Sequence, residues 1–295
     1  MTVCIKRYWF FLLLMAMCGF ADAQVAPLNF SHFTLDNNLY AHTLMRDSKG
    51  YLWIGSDGLF RYDGVSTRRF IHDPKNNNSL VSNTVKSIVE DKKGRIWVGT
   101  IKGISCYDPS KDSFTNYEYD NNDPAHSPQL FDNVLHLGTD GTIWVGNQLG
   151  LSRFDEQTLS FTFFDIGKYQ LPGHKKGRFI TNIIDDKKNA QWLWLSSYDG
   201  LIHFNKRTGF ARYYYPPGQP ITVNNIIQDS HKRIWLATWG KGVGIFDEVD
   251  GSFTFSPFEN NLHLGTDNIV FNIQEDVIAK DSTLLFVSTD DGLAV

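Results

Sequence analysis

The stretch DKKGRIWVGTIKGISCYD, residues 91–108, decides the fold of this chain. Its first four residues form a polar turn, in which Asp91 opens the turn with its side chain and Gly94 closes it at positive φ. An apolar segment centred on Trp97 follows. A glycine and an apolar residue, Gly103-Ile104, then begin a second segment that ends in Tyr107-Asp108. The stretch therefore predicts a polar turn followed by two short β-strands.

The same pattern recurs about six times along the chain. Five segments align on a tryptophan, and in the sixth a phenylalanine takes its place. Five of the eight tryptophans occupy this one position, so chance is a poor explanation. The anchors are 44, 47, 50, 41 and 51 residues apart, and they are Trp53, Trp97, Trp144, Trp194, Trp235 and Phe286.

Each repeat is predicted to form four short strands, A to D. Strand A is an apolar run such as residues 85–89, strand B holds the tryptophan, strand C ends in an aromatic-acid pair, and strand D is aromatic, as in residues 113–119. Four antiparallel strands in 41 to 51 residues is the spacing of a β-propeller blade. The predicted fold is therefore all-β, with each tryptophan wedged between neighbouring blades.

The two ends of the repeat array allow two interpretations. Residues 28–33 look like a D strand, and residues 292–295 lie inside strand C of the sixth repeat. The array is either a six-bladed ring whose last blade takes a strand from the N-terminus, or part of a longer array such as a seven-bladed or double propeller. We expect the second.

The first 23 residues have the layout of a secretory signal peptide. Lys6 and Arg7 precede an uncharged apolar run, and Ala21-Asp22-Ala23 forms a small-x-small cleavage pattern. The run is short for a membrane span, which needs about 20 residues, and an uncleaved anchor is the alternative. We expect residues 24–295 to be an exported, periplasmic propeller without a membrane span, whose one cysteine, Cys106, is a buried hydrophobe.

Composition and motifs exclude several function classes. The chain has 28 basic and 32 acidic residues, a formal net charge of -4, and no basic block, which argues against direct nucleic-acid binding. The nine histidines lack metal-ligand spacing, and the chain has no nucleophile elbow and no phosphate-binding glycine loop. We therefore predict no catalytic residue, no metal and no cofactor.

The repeat resembles the two-component regulator propeller repeat. Residues 91–108 match its pattern, Asp-x-x-Gly-x-hydrophobic-Trp-hydrophobic-Gly-Thr followed by Gly-hydrophobic and Tyr-Asp, and the linker 72–80 resembles loops of this family. The resemblance covers nearly all of residues 24–295. It implies the periplasmic sensor region of a bacterial hybrid two-component system, in which two seven-bladed propellers and a small β-sandwich precede a membrane helix, a histidine kinase, a receiver and a DNA-binding domain.

The resemblance also implies a function, because many members of the family sense glycan fragments and switch on genes for polysaccharide use. Kinase or DNA-binding activity would belong to a longer parent protein or to a partner chain, and not to these residues. Further propeller and kinase segments, or a second copy in a homodimer, are therefore expected partners, beside an oligosaccharide or other small extracellular ligand.

Strand alternation predicts where a ligand would bind. The B–C turns and the D–A loops share one rim of the propeller, and the D–A loops are long and varied. On this rim Trp239 and Tyr198 would stack on sugar rings, unless they cap blade edges. Lys241, in the loop of Trp239, is a further candidate. Lys175 and Arg178, in the basic stretch 174–178, would meet an acidic sugar or a partner, unless they are solvated.

Two acidic residues on the same rim are weaker candidates. Asp57 and Asp199, with other aspartates nearby, suggest a glycosidase carboxylate pair, although ordinary turn chemistry explains them as well. Two functions therefore stay open: a ligand-sensing propeller that binds carbohydrate, and a propeller hydrolase or lyase that acts on polysaccharide. A truncated remnant of a sensor is a third reading. We favour the sensor.

Overall fold

The computed structural model describes residues 41–117, 132–173, 178–218, 220–256, 268–279, 282–290 and 292–294. The chain divides into two compact units, Met1–Asn38 and Leu39–Val295, and all described residues belong to the second. The predicted signal peptide, the strand-like segment 28–33 and Lys175 lie outside the described residues.

The described residues form twenty-three strands and one 3-10 helix, Ile166–Tyr169. The strands are β1 (Thr43–Arg46), β2 (Leu52–Ser56), β3 (Gly58–Tyr62), β4 (Thr67–Phe70), β5 (Val85–Glu90), β6 (Ile96–Thr100), β7 (Gly103–Asp108), β8 (Ser113–Tyr117), β9 (Val134–Leu137), β10 (Ile143–Gly146), β11 (Leu151–Asp155), β12 (Ser160–Phe164), β13 (Ile180–Asp185), β14 (Trp192–Ser197), β15 (Gly200–Asn205), β16 (Ala211–Tyr214), β17 (Val223–Gln228), β18 (Ile234–Thr238), β19 (Val243–Phe246), β20 (Phe253–Ser256), β21 (Val270–Ala279), β22 (Ser282–Thr289) and β23 (Gly292–Ala294).

The strands group into six antiparallel sheets, and in each sheet the strand order follows the chain. Each of the first five sheets holds strands A to D of one repeat, and the described part of the sixth holds strands A, B and C. Strands A of consecutive sheets contact one another, so they form the inner side of the array, and strands D form the outer edge. The molecule is a β-propeller, which confirms the predicted fold class.

Neighbouring blades meet through a repeated group of three rings, which we call the aromatic triad. It consists of the strand-B tryptophan, a ring on strand D of the same blade, and the ring at the end of strand C of the next blade. The ring centroids lie 4.7 to 5.8 Å apart. The four triads are Trp53–Phe70–Tyr107, Trp97–Tyr117–Phe154, Trp144–Phe164–Phe204 and Trp194–Tyr214–Phe246.

The burial of the tryptophans follows from these triads. The four triad tryptophans are at most 1% exposed. Trp235 packs against the core of the sixth blade but is only half-buried, because no described ring of that blade takes the place that Phe246 has in the fifth. Phe286, the sixth anchor, is half-buried as well.

The turn before strand B holds the indole ring in place. Asp91 accepts hydrogen bonds from Nε1 of Trp97 at 2.8 Å and from the backbone and side chain of Arg95. Burial alone would raise the pKa of Asp91, but these hydrogen bonds outweigh it and lower the pKa. The same aspartate-to-indole bond joins Asp47 to Trp53 and Asp229 to Trp235.

Two of the five blades with a strand-B tryptophan lack this bond. Gly138 takes the place of the aspartate in the third blade, and the turn of the fourth blade is longer, so that Asp186 accepts a hydrogen bond from His203 instead. As a result, the indole N–H groups of Trp144 and Trp194 are buried without an acceptor. Ring packing alone therefore positions these two tryptophans.

The turn at Asp229–Lys232 keeps the usual geometry although it lacks the closing glycine. The backbone N–H of Lys232 donates to the carbonyl of Asp229 at 2.9 Å, just as the N–H of Gly94 donates to the carbonyl of Asp91. Lys232 has a φ of 63°, close to the 73° of Gly94, so a lysine side chain is held in the left-handed region.

Replacing this lysine tests the strain directly. We expect Lys232→Gly to raise the free energy of unfolding by about 0.5 to 1 kcal/mol, because glycine adopts a positive φ without a steric cost. Gly94→Ala, at the same turn position, is the matched control and should lower the free energy of unfolding by a similar amount. Urea denaturation measures both, and a loss of stability in Lys232→Gly would contradict the assignment.

Candidate functional site

One rim of the propeller carries the B–C turns and the D–A loops, and we call it the binding rim. The strand registers define it, because in five of the six blades the first residue of strand A pairs with the last residue of strand B. Val85 pairs with Thr100 in the second blade, and Val223 pairs with Thr238 in the fifth. The opposite rim carries the A–B turns with their aspartates and the C–D turns. Candidate binding residues therefore have to be sought at the B–C ends of the strands.

Four aromatic residues of the fourth, fifth and sixth blades lie on the binding rim, and we call them the aromatic strip: Phe179, Tyr198, Trp239 and Phe271. The Phe179 and Tyr198 rings meet edge to face at 5.5 Å, and the Trp239 and Phe271 rings do so at 6.3 Å. Trp239 is 57% exposed, Phe271 47% and Tyr198 36%. The exposed rings of the strip contrast with the triad tryptophans, which the blades bury.

Backbone hydrogen bonds hold the two halves of the strip in a fixed relation. The N–H of Trp239 donates to the carbonyl of Thr222 at 2.9 Å, and the hydroxyl of Thr222 donates to the carbonyl of Tyr198 at 3.4 Å. The N–H of Tyr198 in turn donates to the carbonyl of Phe179 at 3.2 Å. The strip is therefore tied together across the boundary between the fourth and fifth blades.

Phe271 reaches the strip because strand A of its blade contains a β-bulge. The register of β21 against β22 shifts between Val270 and Asn272, which leaves Phe271 unpaired at the inner end of the binding rim. Sequence reasoning identified Tyr198 and Trp239 but did not single out Phe179 or Phe271, since Phe179 ends a long D–A loop and Phe271 lies within the apolar strand-A run 269–273. The bulge, which no residue pattern in this segment announces, turns Phe271 outward.

The second, fourth and fifth blades place polar residues at the same bulge position. Lys86 forms an ion pair with Asp132 of the next blade at 3.4 Å, and Thr181 donates to the carbonyl of Val223. Asn224 donates through Nδ2 to the carbonyl of Val270 at 2.7 Å. The bulge position therefore carries polar side chains in three blades and Phe271 in the sixth.

The remaining predicted site residues do not join the strip. Asp57 is exposed in the first blade, where its carboxylate lies 3.5 Å from Arg69. Asp199 is only 4% exposed, and after burial its charge is a further cause of the raised pKa of Tyr215. Arg178 is exposed beside the 3-10 helix, and Lys241 is exposed at the edge of a separate cavity of about 560 Å³.

Reactive groups elsewhere have structural partners. Burial raises the pKa of Cys106 to about 12, so this thiol stays protonated at neutral pH. Asp229, His231 and Glu275 lie close enough together to suggest a metal site. However, Asp229 already accepts hydrogen bonds from Arg233 and Trp235, and Glu275 accepts two from Ser230, so these carboxylates join turn to strand.

The repeats and their geometry agree with a known family. The family model described as two component regulator propeller matches residues 34–58 and 79–102. Two segments of the chain therefore match this propeller repeat. This confirms the resemblance seen in residues 91–108, and no curated protein matches the chain significantly.

Solved structures with the same fold come from proteins with different descriptions. The extracellular domain of a protein described as a hybrid two-component system of B. thetaiotaomicron is 20% identical, with a TM-score of 0.67 over 87% of this chain and 33% of its own. PorZ, a surface component of the type-IX secretion system of Porphyromonas gingivalis, is 20% identical with a TM-score of 0.63, over 85% of this chain and 37% of its own.

An enzyme shares the architecture as well. A catalytically inactive virginiamycin B lyase from Staphylococcus aureus is 13% identical with a TM-score of 0.67, over 88% of this chain and 81% of its own. At such identities the similarity shows the fold alone. This chain spans about a third of the length of the hybrid two-component system domain. Within the described residues, no helix is long and apolar enough to cross a membrane.

Fluorescence quenching tests whether the aromatic strip is exposed on this propeller. We expect Trp239→Phe to remove the emission component that acrylamide quenches most readily, because the four triad tryptophans are at most 1% exposed and Trp239 is 57% exposed. Trp192→Phe, at a half-buried tryptophan stacked on His203, is the control and should leave that component in place. Survival of the quenchable component in Trp239→Phe would show that the strip is covered.

Proposed function

We propose that this propeller is the ligand-sensing part of a two-component signal transduction system and that it binds a carbohydrate on the aromatic strip. The observation that carries the proposal is the pair of exposed rings of Trp239 and Phe271, held edge to face beside Tyr198. Sugar rings have apolar C–H faces, and aromatic rings cover such faces at low cost in conformational entropy, since the backbone already fixes them.

Polar side chains on the inner side of the binding rim would supply the second requirement for sugar recognition. A carbohydrate needs hydrogen-bond partners for its hydroxyl groups as well as a flat apolar surface. Lys86, Asp132 and Asn224 lie at the inner end of the binding rim and carry donors and acceptors of both kinds. An oligosaccharide placed on the strip would direct its hydroxyl groups toward this inner end.

Signalling would require segments outside these residues. The relative from B. thetaiotaomicron is an extracellular domain about three times as long, which supports a parent or partner that carries further propeller and kinase segments. The layout of residues 1–23 supports export to the periplasm, where the strip would meet its ligand. Ligand binding would then change the docking of this propeller on its neighbours, including a second copy in a homodimer.

Binding is favoured over hydrolysis by the positions of the acidic candidates. A glycosidase needs two carboxylates that face the same bond. Asp199 is buried in the fourth blade, whereas Asp57 is exposed in the first blade beside Arg69. The two carboxylates therefore belong to different blades and differ in exposure.

Calorimetry with a panel of oligosaccharides tests the proposal. We expect at least one oligosaccharide to bind, and Trp239→Ala to weaken its binding about tenfold or more, because the loss of a central stacking ring costs more than about 1.4 kcal/mol. Phe210→Ala is the matched control, since Phe210 is 44% exposed but belongs to a C–D turn on the opposite rim. It should bind the sugar as the unchanged protein does.

Two results would contradict the proposal. Equal binding by Trp239→Ala and the unchanged protein would place the sugar elsewhere. Release of shortened products from the panel, lost on substitution of Asp57 or Asp199, would establish the hydrolase or lyase instead.

A further inference from the structure

The fifth blade contains a cavity of about 560 Å³ that is separate from the triads. Its walls are Phe253 and Phe255 of β20 on one side and Pro217 and Ile221 of the preceding D–A loop on the other, with Lys241 and Asn268 at its edge. The two phenylalanine rings are parallel within 10° and 6.1 Å apart. The volume falls within the range of about 300 to 1,000 Å³ that is typical of small-molecule sites.

The second blade shows why this space is open in the fifth. The D–A loop that enters the second blade spans the fourteen residues 71–84, and it buries Leu80, which is 0% exposed, against Phe114 of β8. The corresponding loop of the fifth blade spans only the eight residues 215–222, between β16 and β17. The shorter loop does not reach over β20 in the way that the longer loop covers β8.

Strand register identifies the equivalent wall positions in the two blades. Phe253 pairs with Phe246 as Phe114 pairs with Tyr107, so the two phenylalanines correspond. Phe255 pairs with Gly244 as Asn116 pairs with Ser105.

The residue type at the second position changes together with the loop. Asn116 donates two hydrogen bonds, to the carbonyls of Asn77 and Ser79, and thereby holds the long loop in place. In the fifth blade the position has an aromatic ring that lies over Gly244, where an added Cβ would come within 2.8 Å of Phe255. The polar loop anchor of the second blade is thus replaced by an apolar wall.

Lys241 gives the cavity a charge. It lies next to Gly242, immediately before β19, and Lys102 occupies the same position before Gly103 of β7. Among the residues that the structure describes, Lys241 forms no ion pair, and it borders the cavity. A cation beside parallel apolar rings favours a ligand with a flat apolar body and one negative group.

We propose that this cavity binds a small planar acid, of the class of aromatic carboxylates, with its ring between Phe255 and Ile221 and its carboxylate on Lys241. The cavity is lined by residues other than those of the aromatic strip, although Gly240 at its edge is the chain neighbour of Trp239. The proposed site does not depend on the proposed carbohydrate sensing. The propeller would then bind two classes of ligand, an aromatic carboxylate in this cavity and a carbohydrate on the aromatic strip.

Titration with two compounds of the same shape tests the site. trans-Cinnamate carries the carboxylate, and cinnamamide replaces it with a neutral amide. Ligand-observed NMR and calorimetry on the full protein should show that cinnamate binds one site roughly tenfold or more tightly than cinnamamide, which is the expected gain from one charge-assisted hydrogen bond.

Variants assign the binding to this cavity. Lys241→Gln should reduce the affinity for cinnamate to that for cinnamamide. Lys102→Gln, at the equivalent position of the second blade, should leave the affinities for both compounds unchanged. Phe255→Asn, which introduces the residue type found at this position in the second blade, should weaken the binding of both compounds. Trp239→Ala should leave cinnamate binding intact, so that failure of the carbohydrate proposal remains distinguishable.

Three results would overturn the inference. The first is that the unchanged protein binds neither compound. The second is equal cinnamate binding by Lys241→Gln and the unchanged protein. The third is equal loss in Lys241→Gln and Lys102→Gln, which would show a general effect of charge.

Discussion

The contact between a strand-B tryptophan and the ring that ends strand C of the next blade turns separate four-stranded sheets into a propeller. A four-stranded sheet has two open faces and cannot bury either of them alone. One tryptophan buries roughly 200 Å², which corresponds to about 5 kcal/mol of apolar burial at the usual coefficient. Because each triad uses rings from two blades, every blade depends on its neighbour. The rigidity of the binding rim, and with it the aromatic strip, follows from this mutual dependence.

A repeated architecture leaves certain positions free to vary without loss of the fold. The bulge of strand A carries Lys86 in the second blade, Asn224 in the fifth and Phe271 in the sixth, so one backbone position forms either an inter-blade polar contact or part of the strip. The second strand-D position varies in the same way, between Asn116 as a loop anchor and Phe255 as a cavity wall. Function in this propeller is therefore found where a blade departs from the repeat.

The sequence predicted the repeated features well, because each of them rests on local chemistry. The turn of residues 91–94, the tryptophan of strand B and the aromatic-acid end of strand C are all separated by short, constant intervals. The features it did not predict depend on register or on contacts between blades. Phe271 faces outward only because β21 contains a bulge, and Asp199 is buried although its Asp-Gly turn resembles an exposed one. Lys232 keeps the turn geometry of a glycine since the surrounding hydrogen bonds impose it.

A double-mutant cycle on Trp144 and Phe204 tests most directly whether ring contacts join the blades. Their ring centroids lie 5.7 Å apart across the boundary between the third and fourth blades. Because the indole N–H of Trp144 makes no hydrogen bond, its replacement removes ring packing without removing such a bond. Leucine at either position keeps apolar volume and removes the ring contact. The account predicts a coupling energy of about 0.5 to 1.5 kcal/mol in the free energy of unfolding. The pair Trp144 and Phe60, in the third and first blades, should show none. Additive effects at Trp144 and Phe204 would contradict the claim that ring contacts join the blades.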